Sequence, residues 1–213
     1  DQSDDMGKKL SGTLFITEGT EDPNKTLYNQ LLVDKSTVLT RTNFSKVLTD
    51  NNTNTLYTST EDSKTVYYFA GNATDNWVKF GKNASNQDLY WRIIRTNSDG
   101  SVRLLYHGTK TDDTAAYIGT SKFNEYYNDS KYVGYMYYSN GTNSTIKDTI
   151  DTWYKNNLTN YTKYLSTTAV YCNDRSTSDN TYFGAYTRLK TNKTPSYDCA
   201  ATEDKFTADT STG

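Results

Sequence analysis

The side chains of this chain that could move protons, attack bonds or hold metals are few and scattered. His107, in Leu104-Leu105-Tyr106-His107-Gly108, is the one histidine among 213 residues. A catalytic base needs a nucleophile within hydrogen-bond reach and a partner to orient it. The sole thiols belong to Cys172 and Cys199, so His107 reads as an ordinary histidine just after a strand. Two cysteines and one histidine do not make a zinc site. The cysteines can be bridged, buried as a reduced pair, or left with a reactive thiol. A bridge would close a 28-residue segment. On the loop-entropy model it would add roughly 3.5 kcal/mol, and it implies export to an oxidising compartment.

The densest run of oxygen donors is Asn173-Asp174-Arg175-Ser176-Thr177-Ser178-Asp179-Asn180. Calcium takes such ligands, which makes Asp174 and Asp179 weak metal candidates, but the spacing and bidentate Glu of an EF-hand loop are absent. An Asx-rich turn with an Arg175 ion pair needs no metal. No pair of the 25 acidic residues stands out as a glycosidase couple, and Gly-rich phosphate loops are missing. We assign no catalytic residue and no cofactor. What remains is tyrosine, 20 residues of it, clustered at Tyr67-Tyr68, Tyr126-Tyr127 and Tyr132 to Tyr138. Rings on one face of such strands would enter a core; those on the other would meet a ligand, as rigid amphipathic rings do at interfaces. Tyr126, Tyr127, Tyr135 and Tyr137 are the ligand-contact candidates.

The elements that must position these groups are largely strands. Val66 to Ala70, Trp77 to Phe80, Leu89 to Arg95 and Val102 to Tyr106 are β-branched or aromatic runs separated by Gly, Asn and Asp. Asn97-Ser98-Asp99-Gly100 joins the last two as a hairpin. In Leu89 to Arg95, Trp91 and Ile93 share one face and Tyr90, Arg92 and Ile94 the other, which predicts a central strand covered on both sides. Tyr132 to Tyr138 and Ala169 to Cys172 read as short strands, as does Thr13 to Thr17. Leu27, Tyr28, Leu31 and Leu32 suit a short helix over 26–33. Ile146, Ile150, Trp153, Tyr154, Leu158, Tyr161 and Leu165 form an apolar stripe over 145–165. That principal amphipathic helix would be capped by Thr145 and bury the stripe. Asn51 to Ser63 reads as an exposed polar loop. We place an N-terminal segment at 1–64 and an α+β surface domain at 65–213.

Composition narrows the class. Leu, Ile, Val and Phe supply only 35 residues, but each buried Tyr or Trp can remove on the order of 150–250 Å² from water, so the chain should fold. A net charge of −2 and a pI near 5.4 argue against nucleic acid and anionic membrane, both of which need a basic face. No apolar run is long enough to span a bilayer, and the polar opening at Asp1 suits a processed mature end. Eleven Asn-x-Ser/Thr triplets occur, against about five expected at this composition. A glycosylated surface or a codon bias toward Asn and Thr would each produce that excess.

The runs VYYFAGNATDNWVKFGKNASNQDLYWRIIRTNSDGSVRLLYHGT, YVGYMYYSN, STIKDTIDTWYKNNL, AVYCNDRS and TPSYDC resemble a family of uncharacterised secreted or cell-surface proteins. It is widespread in gut Firmicutes and related low-GC bacteria. The resemblance spans roughly residues 25–206 and implies an extracellular protein, with Cys172 and Cys199 matching the two cysteines of the pattern. The Trp-containing strand, Gly turn, returning strand and Ser/Thr-started helix also look like bacterial C-type-lectin-like domains. Family members continue past the position of Gly213 with a strand-rich segment, which implies a fold incomplete at its C-terminus or completed by a neighbouring subunit.

The expectation is therefore an exported bacterial surface protein of α+β class, with a mixed or mainly antiparallel sheet and one principal helix. Its function would be non-catalytic recognition or adhesion to a host or neighbour-cell protein or glycan. The alternative is a structural subunit of a filament or surface layer, pairing with copies of itself by strand sharing. A carboxylate-based hydrolase is a distant third.

Overall fold

A computed structural model describes residues 26–35, 37–49, 54–112, 117–125, 143–174, 176, 186–193 and 196–208. The chain is α+β: a mixed, mostly antiparallel sheet with few helices. Helix α1 (Leu27–Asp34) starts where expected, because the Thr26 hydroxyl accepts from the Asn29 N–H and so satisfies one orphan donor of the first turn. Strand β1 (Thr37–Thr40) runs parallel to β2 (Thr55–Glu61), which pairs antiparallel with β3 (Lys64–Tyr68). The sheet continues through β4 (Trp77–Lys82), β5 (Asp88–Thr96) and β6 (Val102–Gly108) in the order β1-β2-β3-β5-β4, with β6 also on β5. A separate two-stranded ribbon pairs β7 (Tyr171–Cys172) with β8 (Lys205–Phe206).

Two sequence expectations need correction here. Residues 51–63 are not one exposed loop: Thr55–Glu61 is an inner strand, with Leu56, Tyr57 and Glu61 buried. Its turn, Asp62-Ser63, takes positive φ at both residues (48° and 61°). That geometry favours Asn-Gly or Asp-Gly, so an Asp-Ser turn gave no hairpin signal. Strand β5 is covered fully on one side and only in part on the other. Leu89, Trp91, Ile93 and Arg95 are buried on one face, whereas on the other Thr96 is buried, Tyr90 and Arg92 are half-buried and Ile94 is exposed. It does have more strand partners than any other described strand, as a central strand should. The Asn97–Gly100 turn forms as read, with Gly100 at φ 84° and its N–H donating to the Asn97 carbonyl.

Helix α2 (Thr145–Asn157) is shorter than 145–165, and Ser144, not Thr145, caps it by accepting from the Lys147 N–H. At its end Thr159 Oγ1 donates to the Lys155 carbonyl, a group a longer helix would use itself, and Asn157 Nδ2 donates to the Trp153 carbonyl. A 3-10 helix (Thr159–Tyr164) follows. The stripe is only partly core. Leu158 is buried, but Ile150 and Tyr154 are exposed.

The chain divides into two compact units. The first comprises the described residues within 1–78, 92–105 and 166–213. Leu56, Val66 and Ile93 bury fully in it, and it also holds a buried polar cluster. There Arg95 donates to Glu61 at 2.6 Å and to the Thr96 carbonyl at 2.9 Å, while the second Glu61 oxygen accepts from the Ser98 N–H at 2.6 Å. The Tyr197 ring lies 4.1 Å from the guanidinium. Cys172 and Cys199 are joined by a disulfide within this unit. The second unit comprises the described residues within 79–91 and 106–165. Its core is aromatic: Trp91, Tyr106 and Trp153 meet edge to face at 4.9–6.3 Å between centroids, and Phe80 joins Trp91 to Tyr161. Among the described residues no helix is long and apolar enough to cross a membrane.

Candidate functional site

The residues singled out from sequence are not brought together. Tyr126, Tyr127, Tyr135 and Tyr137 lie outside the described residues, as do Asp179, Arg175 and the proposed strands at 13–17 and 132–138. Asp174 follows β7 in a left-handed conformation (φ 50°), half-buried. The neighbouring Ser176 N–H and hydroxyl both donate to the buried Asp204 carboxylate. Among the described residues no three His, Cys, Asp or Glu side chains gather closely enough to hold a metal. His107 lies inside β6, not after it. Tyr67 and Tyr68 both enter packing: Tyr67 meets Tyr28 edge to face, and Tyr68 meets Tyr57 and Tyr197.

What the second unit does build is an open polar groove of about 520 Å³. One wall is the β4–β5 turn. Asn83 organises it: its Oδ1 accepts from the N–H groups of Ser85 and Gln87 at 3.0 and 2.9 Å, and its Nδ2 donates to Gln87 Oε1 at 2.8 Å. These Asx-type bonds hold Asn86 at φ 61°. At the root of the turn Asp88 accepts from Lys82 at 2.9 Å and from Lys79 at 3.0 Å. The two ammonium groups, Lys82 foremost, hold its carboxyl below the usual range.

The other wall is the end of α2 and the 3-10 helix, which contribute Lys155, Asn156, Asn157, Thr159 and Asn160. Tyr161 completes the lining. Its ring packs on Phe80 at 5.7 Å, and Gly81 lets it come close: a Cβ on Gly81 would sit 3.4 Å from the Tyr161 ring, at a backbone φ of 83° that already favours glycine.

Five of the lining residues are asparagine and none is acidic. The side chains of Asn86, Asn156 and Asn160 are exposed and take no hydrogen-bond partner among the described residues. Each presents two N–H donors and a carbonyl acceptor, the complement of a polyhydroxylated ligand. The described lining residues include no His, Cys, Asp or Glu. Sequence reading missed this site because Lys82 to Asn86 looked like turn punctuation and Asn156 to Asn160 like helix surface. The visible signal was the density of Asn in both segments. Asn83, Asn157 and Asn160 also head three of the Asn-x-Ser/Thr triplets, but the Asn83 and Asn157 amides are engaged in local bonds.

No family model matches the chain, and no curated protein or solved structure shows significant similarity to it.

Proposed function

We propose that this is an exported surface protein whose second unit recognises a polar ligand, a glycan foremost, without catalysis. The amide-lined groove carries this reading: it offers several unengaged donors and acceptors and a tyrosine ring, and no paired carboxylates. The Cys172–Cys199 bridge supports an oxidising, extracellular setting. The hairpin of β5 and β6 and the Ser-capped α2 are in keeping with a C-type-lectin-like architecture. No bound metal is invoked; calcium near Asp174 and Asp179 is the alternative that a chelator would expose.

The test is an array of glycans and surface proteins probed with the full chain and with an Asn156→Ala/Asn160→Ala variant. Both positions are exposed, so the near-UV spectrum should be unchanged. Ligands bound by the parent and lost in the variant support the reading. An empty array, or binding indifferent to the substitutions, overturns it. Cleavage of a bound glycan would favour the hydrolase.

A second reading, polymerisation by strand sharing, has one observation behind it. Among the described strands β1 ends the sheet, and all four of its residues are exposed, Val38 and Leu39 among them. An unprotected edge of this kind invites another strand. Sedimentation and electron microscopy decide: filaments that Leu39→Lys abolishes would support strand sharing, and a monodisperse monomer would rule it out.

A further inference from the structure

Resting on the recognition reading above, we infer that the groove of the second unit prefers a saccharide bearing a carboxylate over its neutral counterpart. The charge distribution points there. The whole chain carries −2, yet the groove lining has two lysines and no acidic residue. Asp88 neutralises only one of the two ammonium groups it touches, since a single carboxylate serves both Lys79 and Lys82. A net positive charge therefore remains at the β4–β5 wall.

On the opposite wall Lys155 projects from the last turn of α2 and makes no ion pair among the described residues. A cation there already suits the helix C-terminus, so its position needs no ligand to explain it. Its consequence is nonetheless a full positive charge beside the unengaged amides of Asn156 and Asn160. Amide N–H groups and an ammonium together donate to a carboxylate, while the amide carbonyls accept from the hydroxyls of the same sugar. A neutral sugar would use the amides and leave Lys155 to solvent.

The experiment measures affinity of the full chain for carboxylated oligosaccharides (galacturonate-, glucuronate- and sialate-containing), each paired with its methyl ester. It is repeated at low and high salt and with Lys155→Gln. We expect the acids to bind about fivefold more tightly than the esters, as one exposed ion pair allows. That margin should shrink with salt, and Lys155→Gln should narrow it to what the residual charge of the β4–β5 wall supplies. Acids and esters bound equally by the parent would overturn the acid preference while leaving a glycan groove in place. No binding of any acid, ester or neutral glycan would remove both. A preference that survives Lys155→Gln and high salt undiminished would also overturn the inference, because it would then not arise from this charge.

Discussion

Glu61 and Arg95 form the most consequential side-chain pair of the first unit. Both are almost fully buried, and every bond that compensates their burial comes from the other partner, the Ser98 N–H, the Thr96 carbonyl or the Tyr197 ring. Removing one partner strands the other, at a cost of about 3–5 kcal/mol. Glu61→Ala should therefore lower the urea midpoint steeply, and Arg95→Met/Glu61→Leu together should recover much of that loss. Tyr197 belongs to the same cluster. Burial pushes its hydroxyl from the ordinary 10 up to about 12, against the opposing pull of Arg95. Its raised value favours the neutral form in the folded state, so this contribution is whole below pH 10 and is lost as pH rises toward 12. Asp99 has the opposite sign. Its partial burial would raise its carboxyl, but hydrogen bonds from Ser101, Ser166 and Thr168 outweigh that and bring it down to about 2. Stability from Asp99 is thus present above about pH 4 and is lost as pH falls through 2. Asp99→Asn should flatten the acid limb of a stability–pH profile; an unchanged limb would show that these hydroxyl bonds do not tie the turn down. None of these roles was legible from residue type. Asp99 reads as turn chemistry, and Glu61 lies in a segment whose polar composition reads as loop.

Elements were legible where their pattern repeats. Helix α1, β5, β6 and the Asn97–Gly100 turn follow from alternation, apolar spacing and Asp-Gly. Strand β2 was not, because Thr-Leu-Tyr-Thr-Ser-Thr-Glu lacks an aliphatic run and its burial comes from neighbours on both sides in the sheet. The length of α2 was misjudged for a local reason: Asn and Thr side chains capture the carbonyls of its last turns, and a periodic apolar stripe does not register such competition. The cap was misplaced by one residue, since Ser144 and Thr145 are both suitable oxygen acceptors. Ser144→Ala should destabilise the second unit by about 1 kcal/mol, whereas Thr145→Ala should cost less; denaturant titration of the two variants checks the order. Should Thr145→Ala prove the costlier, the cap assignment is wrong.

In the molecule as a whole, the disulfide is the one covalent link between distant positions among the described residues. It ties β7 to the segment around Tyr197, close in sequence to the ring that covers Arg95. Cys172→Ser/Cys199→Ser should lose roughly 3.5 kcal/mol by the loop-closure argument; a thermal or urea transition with and without reductant measures it, and an unmoved transition would mean that local packing already fixes the segment. The sequence was sufficient for class and pattern: α+β, rich in aromatic strands, poor in catalytic groups, with two cysteines able to bridge. Those properties are carried by composition and short-range periodicity. The tertiary structure decided which cysteine state holds, that a polar strand lies inside the sheet, and that two Asn-rich segments some seventy residues apart face one groove. Such outcomes depend on long-range pairing and on side chains satisfying one another across the fold, which no local window of residues contains.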